Sequence, residues 1–99
     1  MVYTVNQIQS IISPILKDKG IAKAILFGSY AKGIADDDSD IDICVDSNGR
    51  LKGFDFIEVM EDIRERLQKP VDLIDVTHID RGSRVEKEIH DTGVMIYEE

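Results

Sequence analysis

Three short apolar runs frame what this chain can fold into: AKAILFG (22–28), IDICV (41–45) and VDLIDV (71–76). Each has the length of a buried strand and is too short for a packed helix. Stretches of helical spacing lie around them. Val5, Ile8, Ile11, Ile12, Ile15 and Leu16 recur at helical intervals behind Thr4-Val5-Asn6-Gln7, which fits a capping box with Thr4 as N-cap. Pro14 is expected to kink this helix or restart it after Ser13. Gly20 closes it, just past Lys17 and Lys19. FDFIEVMEDIRERL (54–67) reads as a second helix, with Phe54, Ile57, Met60, Ile63 and Leu67 on one face and Phe56 and Val59 flanking it, mainly as core. Pro70 blocks further helix, residues 84–90 predict a last short one, and VMIY (94–97) predicts an edge strand. The pattern is α/β (α+β): a mixed sheet of three to four strands with helices packed on it, in a single domain over residues 1–99.

A length of 99 residues suits one core with little to spare. The formal charge of −8 argues against direct grip on nucleic acid, which needs a basic face to displace counterions. It leaves room for a nucleotide that arrives with its own metal ion. No apolar stretch approaches the ~20 residues of a membrane span, and the start, MVYTVNQ, lacks the basic and apolar regions of a signal peptide. The expected location is the cytoplasm. Cys44 is the only cysteine, which excludes an internal disulfide and reads as a small buried hydrophobe.

The chemistry concentrates in GSYAKGIADDDSDID (28–42). Alternation puts Asp40 and Asp42 on one strand face, about 6.6 Å apart along the backbone. Two such carboxylates repel each other unless a cation sits between them. Oxygen ligands of this kind suit Mg²⁺, or Mn²⁺, and a pair of ions could brace the attacking and leaving oxygens of a phosphoryl transfer. Upstream, Gly28 lets a phosphate approach the backbone closely, with the amides of a starting helical turn favouring the anion. The Ser29 hydroxyl adds a donor, and Gly33 lets the chain turn back so that the acidic strand lies beside the first. An EF-hand fails here: counting from Asp36, Ile41 holds the position that demands glycine and Ser47 the one that demands glutamate. Nothing matches the phosphate-loop pattern GxxxxGK[ST] either. His78 and His90 have no ligand-like spacing. Tyr30 and Phe27 flank the turn, where packing is the expected role of both.

Gly28-Ser29, ten residues, then Asp40-x-Asp42 resembles the signature of the DNA polymerase β-type nucleotidyltransferases, and within them the minimal nucleotidyltransferase (MNT) proteins. LFGSYAKG, SDIDICV, the helix from Phe54, KPVDLIDV and the closing GVMIYEE follow the family's order and cover most of the chain from about Gly20. The resemblance implies a three-carboxylate site: Asp40 and Asp42 hold two Mg²⁺ ions, while a third aspartate binds one metal and deprotonates the attacking hydroxyl. Asp72 and Asp75 alternate onto opposite faces of VDLIDV, and periodicity does not choose between them, since both faces are largely apolar. The family's V-D-L context selects Asp72 and leaves Asp75 as a strand-end or surface residue. Lys32 stands where relatives commonly carry arginine, keeping the charge for a phosphate without the planar fork.

The function implied is transfer of AMP from ATP to a hydroxyl, typically a tyrosine, of a partner HEPN toxin, which makes the chain its antitoxin. The short chain leaves almost nothing for an acceptor module, so the acceptor is expected on another copy or another protein, in a homo- or hetero-oligomer. Two alternatives stand beside this: a binding antitoxin that acts by occlusion with little or no catalysis, and a catalytic subunit served by a separate substrate-binding subunit.

Overall fold

The structure is a computed structural model and describes residues 2–99. Helix α1 (Val5–Asp18) leads to strand β1 (Lys23–Phe27), a five-residue helix α2 (Gly28–Lys32) and strand β2 (Ile41–Asp46). Helix α3 (Phe54–Leu67), strand β3 (Val71–Asp75), a single 3₁₀ turn (Val76–His78), helix α4 (Arg84–Thr92) and strand β4 (Val94–Glu98) complete the order. The four strands form one mixed sheet in the order β3-β2-β1-β4. β1 is antiparallel to both neighbours, whereas β2 and β3 run parallel, joined by the α3 crossover. The sequence pattern therefore locates all four strands, β4 on an edge. Among the described residues no helix is long and apolar enough to cross a membrane.

Local chemistry sets the helix ends. The Gln7 amide donates to the Thr4 hydroxyl oxygen at 3.1 Å and the Gln7 side-chain oxygen accepts from the Thr4 amide at 2.8 Å, so the capping box is complete. At the other end Gly20 takes φ +69°, its amide bonding Lys17 O and that of Ile21 bonding Leu16 O. This double bond is how a glycine just beyond the last turn satisfies carbonyls that the helix leaves open. Pro14 does not restart α1, which runs through it as one helix. Its missing N–H costs one hydrogen bond, but Ile12 and Leu16, fully buried on either side, hold the helix to the sheet.

One face of the sheet carries the core. Ile8, Ile12 and Leu16 of α1 and Val59, Ile63 and Leu67 of α3 close over Ala24, Leu26, Ile41, Ile43, Val45, Val71, Leu73 and Ile96. The buried stripe of α3 differs from the expected one. Val59, Ile63 and Leu67 are buried with Phe56 and Met60 beside them, while Phe54 is 88% and Ile57 48% exposed. Steps of three residues fall about 60° short of a full turn each at 3.6 residues per turn. A face drawn from Phe54 through Ile57 to Ile63 thus drifts half-way round the helix. Helix α4 packs on the opposite side, against β1 and α2, and leaves the ends of β2 and β3 uncovered there.

Asp75 ends β3, but it is buried rather than on the surface, at 6% exposure. Its carboxylate accepts from the Ser47 hydroxyl at 2.8 Å, the Thr77 amide at 3.1 Å and the Thr77 hydroxyl at 2.9 Å. Burial works against its ionisation, yet these donors hold it below the usual carboxylate range. The cluster fastens the far ends of β2 and β3 together. Ser47→Ala is expected to lower unfolding free energy by about 1–3 kcal/mol, the cost of a buried acceptor short of a donor. Urea unfolding would measure this, and the chemistry at the other end of the strands should be unaffected.

Candidate active site

The site begins where β1 stops. At Gly28 the chain leaves the strand with φ +73° and enters α2. A Cβ on Gly28 would run into the Asp42 carboxylate, well inside van der Waals contact. Glycine is thus required twice here, by its backbone angle and by how closely the acid side chain lies against it. No side chain caps the start of α2, so no side chain competes there with an anion for the first-turn amides. Buried Tyr30 anchors the short helix from below, and Gly33, at φ +75°, returns the chain toward β2. Ser29 is half-buried on the first turn. Tyr30 and Phe27 are packed, as expected from their place beside the turn.

The register of the sheet decides the acids. Antiparallel pairing sets Phe27 opposite Asp42, which brings Asp42 beside the Gly28 turn. Parallel pairing sets Asp42 opposite Asp72, so both carboxylates leave the sheet on the same face. They are close enough to share a hydrogen bond, which two carboxyl groups make only by holding a proton between them. Burial, then the charge and hydrogen bond of Asp72, then the charges of Asp40 and Glu88, push the Asp42 carboxyl up to about 6. Asp40 precedes β2, is exposed, and acts on Asp42 through charge alone. Among the described residues no three His, Cys, Asp or Glu side chains are gathered as a ready-made ion-binding group. The donor set nevertheless suits a hard divalent cation: Asp42 and Asp72, paired across the parallel register, offer carboxylate oxygens on one face of the sheet.

Lys32 ends α2 and is turned away to α4, its Nζ 3.0 Å from Glu88 Oε1. Glu88 is a site neighbour that sequence reasoning missed; it lies 46 positions beyond Asp42 and only the packing of α4 on α2 brings it near. Asp75 lies at the far end of the strands opposite Val45, whereas Asp72 is the one paired with Asp42. Cys44 is 2% exposed, and burial followed by the Asp75 and Asp46 charges pushes its thiol up to about 11, so it is inert filling. A cleft of about 450 Å³ lies at the other end of β2 and β3, lined by Ser47, Phe56, Asp75 and Thr77 among others. It is remote from the carboxylates.

The raised Asp42 has a measurable sign. Between its ordinary range near 3.8 and about 6 the folded chain holds a proton that the unfolded chain releases. Stability without metal should therefore fall as pH rises through that window, and the loss should be complete above it. Asp42→Asn removes this fall, so its thermal midpoint should exceed that of the native chain at pH 7 and converge with it near pH 4. Calorimetry on both proteins, with and without Mg²⁺, reads the difference; Mg²⁺ should raise the midpoint of the native chain alone.

Comparison with known proteins adds an independent line. The family model described as "Polymerase beta, Nucleotidyltransferase" matches residues 9–99. A protein adenylyltransferase, MntA, of Thermococcus cleftensis is 36% identical over 72% of this chain and 76% of its own. A Methanocaldococcus jannaschii protein that also carries a protein adenylyltransferase name is 42% identical over 72% of this chain and 77% of its own. A crystal structure of a toxin–antitoxin with AMP-PNP superposes with a TM-score of 0.77 at 26% identity, over 92% of this chain and 73% of that one. The fold is shared, at 23% identity and a TM-score of 0.72, with a structure of a tri-AMPylated Shewanella oneidensis HEPN toxin in complex with MNT antitoxin, covering 97% of this chain and 74% of that one. The glycine turn, the paired strand aspartates and the extent of these matches agree: this chain belongs to the polymerase β nucleotidyltransferase family, beside its protein adenylyltransferases.

Proposed function

We propose that the protein transfers AMP from ATP to a hydroxyl, a tyrosine in the first instance, of a partner HEPN toxin and so acts as its antitoxin. The observation that carries this reading is the Asp42–Asp72 contact facing the Gly28–Ser29 turn. Acids and anion-binding amides share one open end of the sheet, which is the arrangement that a nucleoside triphosphate with its cations would need. Relatives named as protein adenylyltransferases, and neighbours that hold AMP-PNP or an AMPylated toxin, support the acceptor class.

Gly28 and the α2 amides receive the phosphate tail, Ser29 donates a hydroxyl hydrogen bond to it, and Gly33 keeps the loop clear. Lys32 reaches a phosphate by leaving Glu88. Asp40, Asp42 and Asp72 would hold Mg²⁺, with Mn²⁺ as a substitute; when bound, the metal supplies charge neutralisation at the attacking and leaving oxygens. Asp72, at the open edge of the pair, takes the proton of the acceptor hydroxyl. The acceptor oxygen then bonds to the α-phosphorus, the bond from that phosphorus to the β-phosphate oxygen breaks, and pyrophosphate leaves with the electron pair. A phosphate added near a toxin's RNA site would repel RNA phosphates there, which accounts for neutralisation.

The test uses α-labelled ATP, Mg²⁺ and the purified partner. Label should pass to the partner with the native chain, disappear with EDTA, and fall at least about 100-fold with Asp72→Asn, the scale of a lost general base. Asp72→Asn should still bind AMP-PNP, whereas Gly28→Val should not. A native chain that binds its partner tightly and transfers no label would replace this reading with neutralisation by occlusion.

A further inference from the structure

The loop between α2 and β2 crowds Asp36, Asp37, Asp38 and Asp40 into five residues, a segment that should fly apart on charge alone. It does not, because it is closed on itself. The Asp36 amide donates to Ser39 Oγ at 2.9 Å, the Asp38 amide to Asp36 Oδ1 at 2.9 Å, and the Ser39 amide to Asp36 O at 3.1 Å. This braced turn is fastened to the start of β3 by Lys69, whose Nζ donates to Asp37 O at 3.1 Å. The same ammonium lies 5.7 Å from the centroid of the Tyr30 ring, which is 4% exposed and fixed in the base of α2. The next residue repeats the tie: the Ile41 amide donates to Pro70 O at 3.1 Å.

Asp40 sits between these two fastenings, with Ser39 of the braced turn before it and Ile41 of the ladder after it. Asp72 follows Lys69-Pro70 by two residues. A single dipeptide thus holds the loop that presents one acid and leads directly to another, while Tyr30 keys it to the helix of the Gly28 turn. We propose that Lys69 is a positioning residue of the metal and nucleotide site: its ammonium holds the acidic turn from which Asp40 closes on Asp42 and Asp72 when a cation binds. This inference rests on the function proposed above and assigns a role to a residue outside its carboxylates and phosphate turn.

A bystander role for Lys69 makes the opposite forecast. A lysine that only offsets nearby negative charge competes with a cation, so removing it would strengthen metal binding. A lysine that holds Asp40 in place has to be present for the third donor to arrive, so removing it weakens metal binding. The experiment titrates Mn²⁺ into the native chain, Lys69→Met and Lys69→Arg, and follows amide hydrogen exchange over residues 36–41. Lys69→Met keeps the apolar stem and loses donor and charge together; it should bind Mn²⁺ about 10-fold or more weakly, as lost outer-sphere support does, with faster exchange in the loop. Lys69→Arg should restore both. AMP transfer by Lys69→Met should recover as Mn²⁺ is raised, measured at a temperature where circular dichroism shows the metal-free variant fully folded, so that rescue by stabilisation alone is excluded. Should the methionine variant fail to fold, Lys69→Gln is read in the same way.

Equal or tighter Mn²⁺ binding by a folded Lys69→Met variant overturns the role of Lys69 and leaves the carboxylate site standing. A native chain that binds no Mn²⁺ overturns the site and, with it, the role. The two failures are therefore told apart by the native titration alone.

Discussion

The contact between Asp42 and Asp72 is the constraint around which this molecule is arranged. Two carboxylates do not approach within hydrogen-bond distance unless the backbone forces them, and here it does so through the parallel register of β2 and β3. Burial first, and then the charge of Asp72, push Asp42 up to about 6, a cost that a proton or a cation relieves. Stability is spent at this end of the sheet and recovered at the other. There a third aspartate of the same two strands, Asp75, is satisfied by hydroxyls and an amide and locks the strand ends together. Three carboxylates on neighbouring strands thus take contrary roles by environment alone.

The asymmetry of the two sheet faces explains how the acids stay accessible in a chain of this length. α1 and α3 concentrate the apolar burial on one face, where almost every core side chain is fully enclosed. The other face needs only α4 over β1 and the short α2. Polar groups at the ends of β2 and β3 can then stay near solvent without a hole in the core. Gly28 is the hinge between the two regimes. It ends a core strand, starts α2 at φ +73°, and leaves the space that Asp42 occupies. The same packing that exposes the acids also brings Glu88 up to Lys32 in an ion pair, which the proposed phosphate role of Lys32 would have to open.

Much of this was legible in the residues. Short apolar runs gave the strands, capping residues and glycines gave the helix ends, and Gly-Ser followed at ten residues by Asp-x-Asp pointed to the family. Misreadings came from faces, not from elements. A helix face drawn through Phe54 and Ile57 was rotated from the buried one, since both kinds of step, three and four, fit the apolar residues and only the partner surface selects between them. Of the kink or restart that Pro14 allows, the restart does not occur, because burial on both sides of it outweighs one lost hydrogen bond.

By itself, then, the sequence determined which residues could form strands and where glycine was unavoidable, because these follow from the chain's own periodicity and sterics. The strand alternation expected to pair Asp40 with Asp42 does not reach Asp40, which precedes β2. The tertiary structure decided which distant residues meet. Both faces of VDLIDV are apolar enough that no local rule separates Asp72 from Asp75, and the register of β3 on β2 sets one beside Asp42 and makes the other a buried lock. Glu88 beside Lys32, and Lys69 beside Asp37 and Tyr30, are likewise unions of segments 30 to 60 positions apart. Such contacts depend on strand order and helix packing, properties of the whole chain that no window of its residues contains.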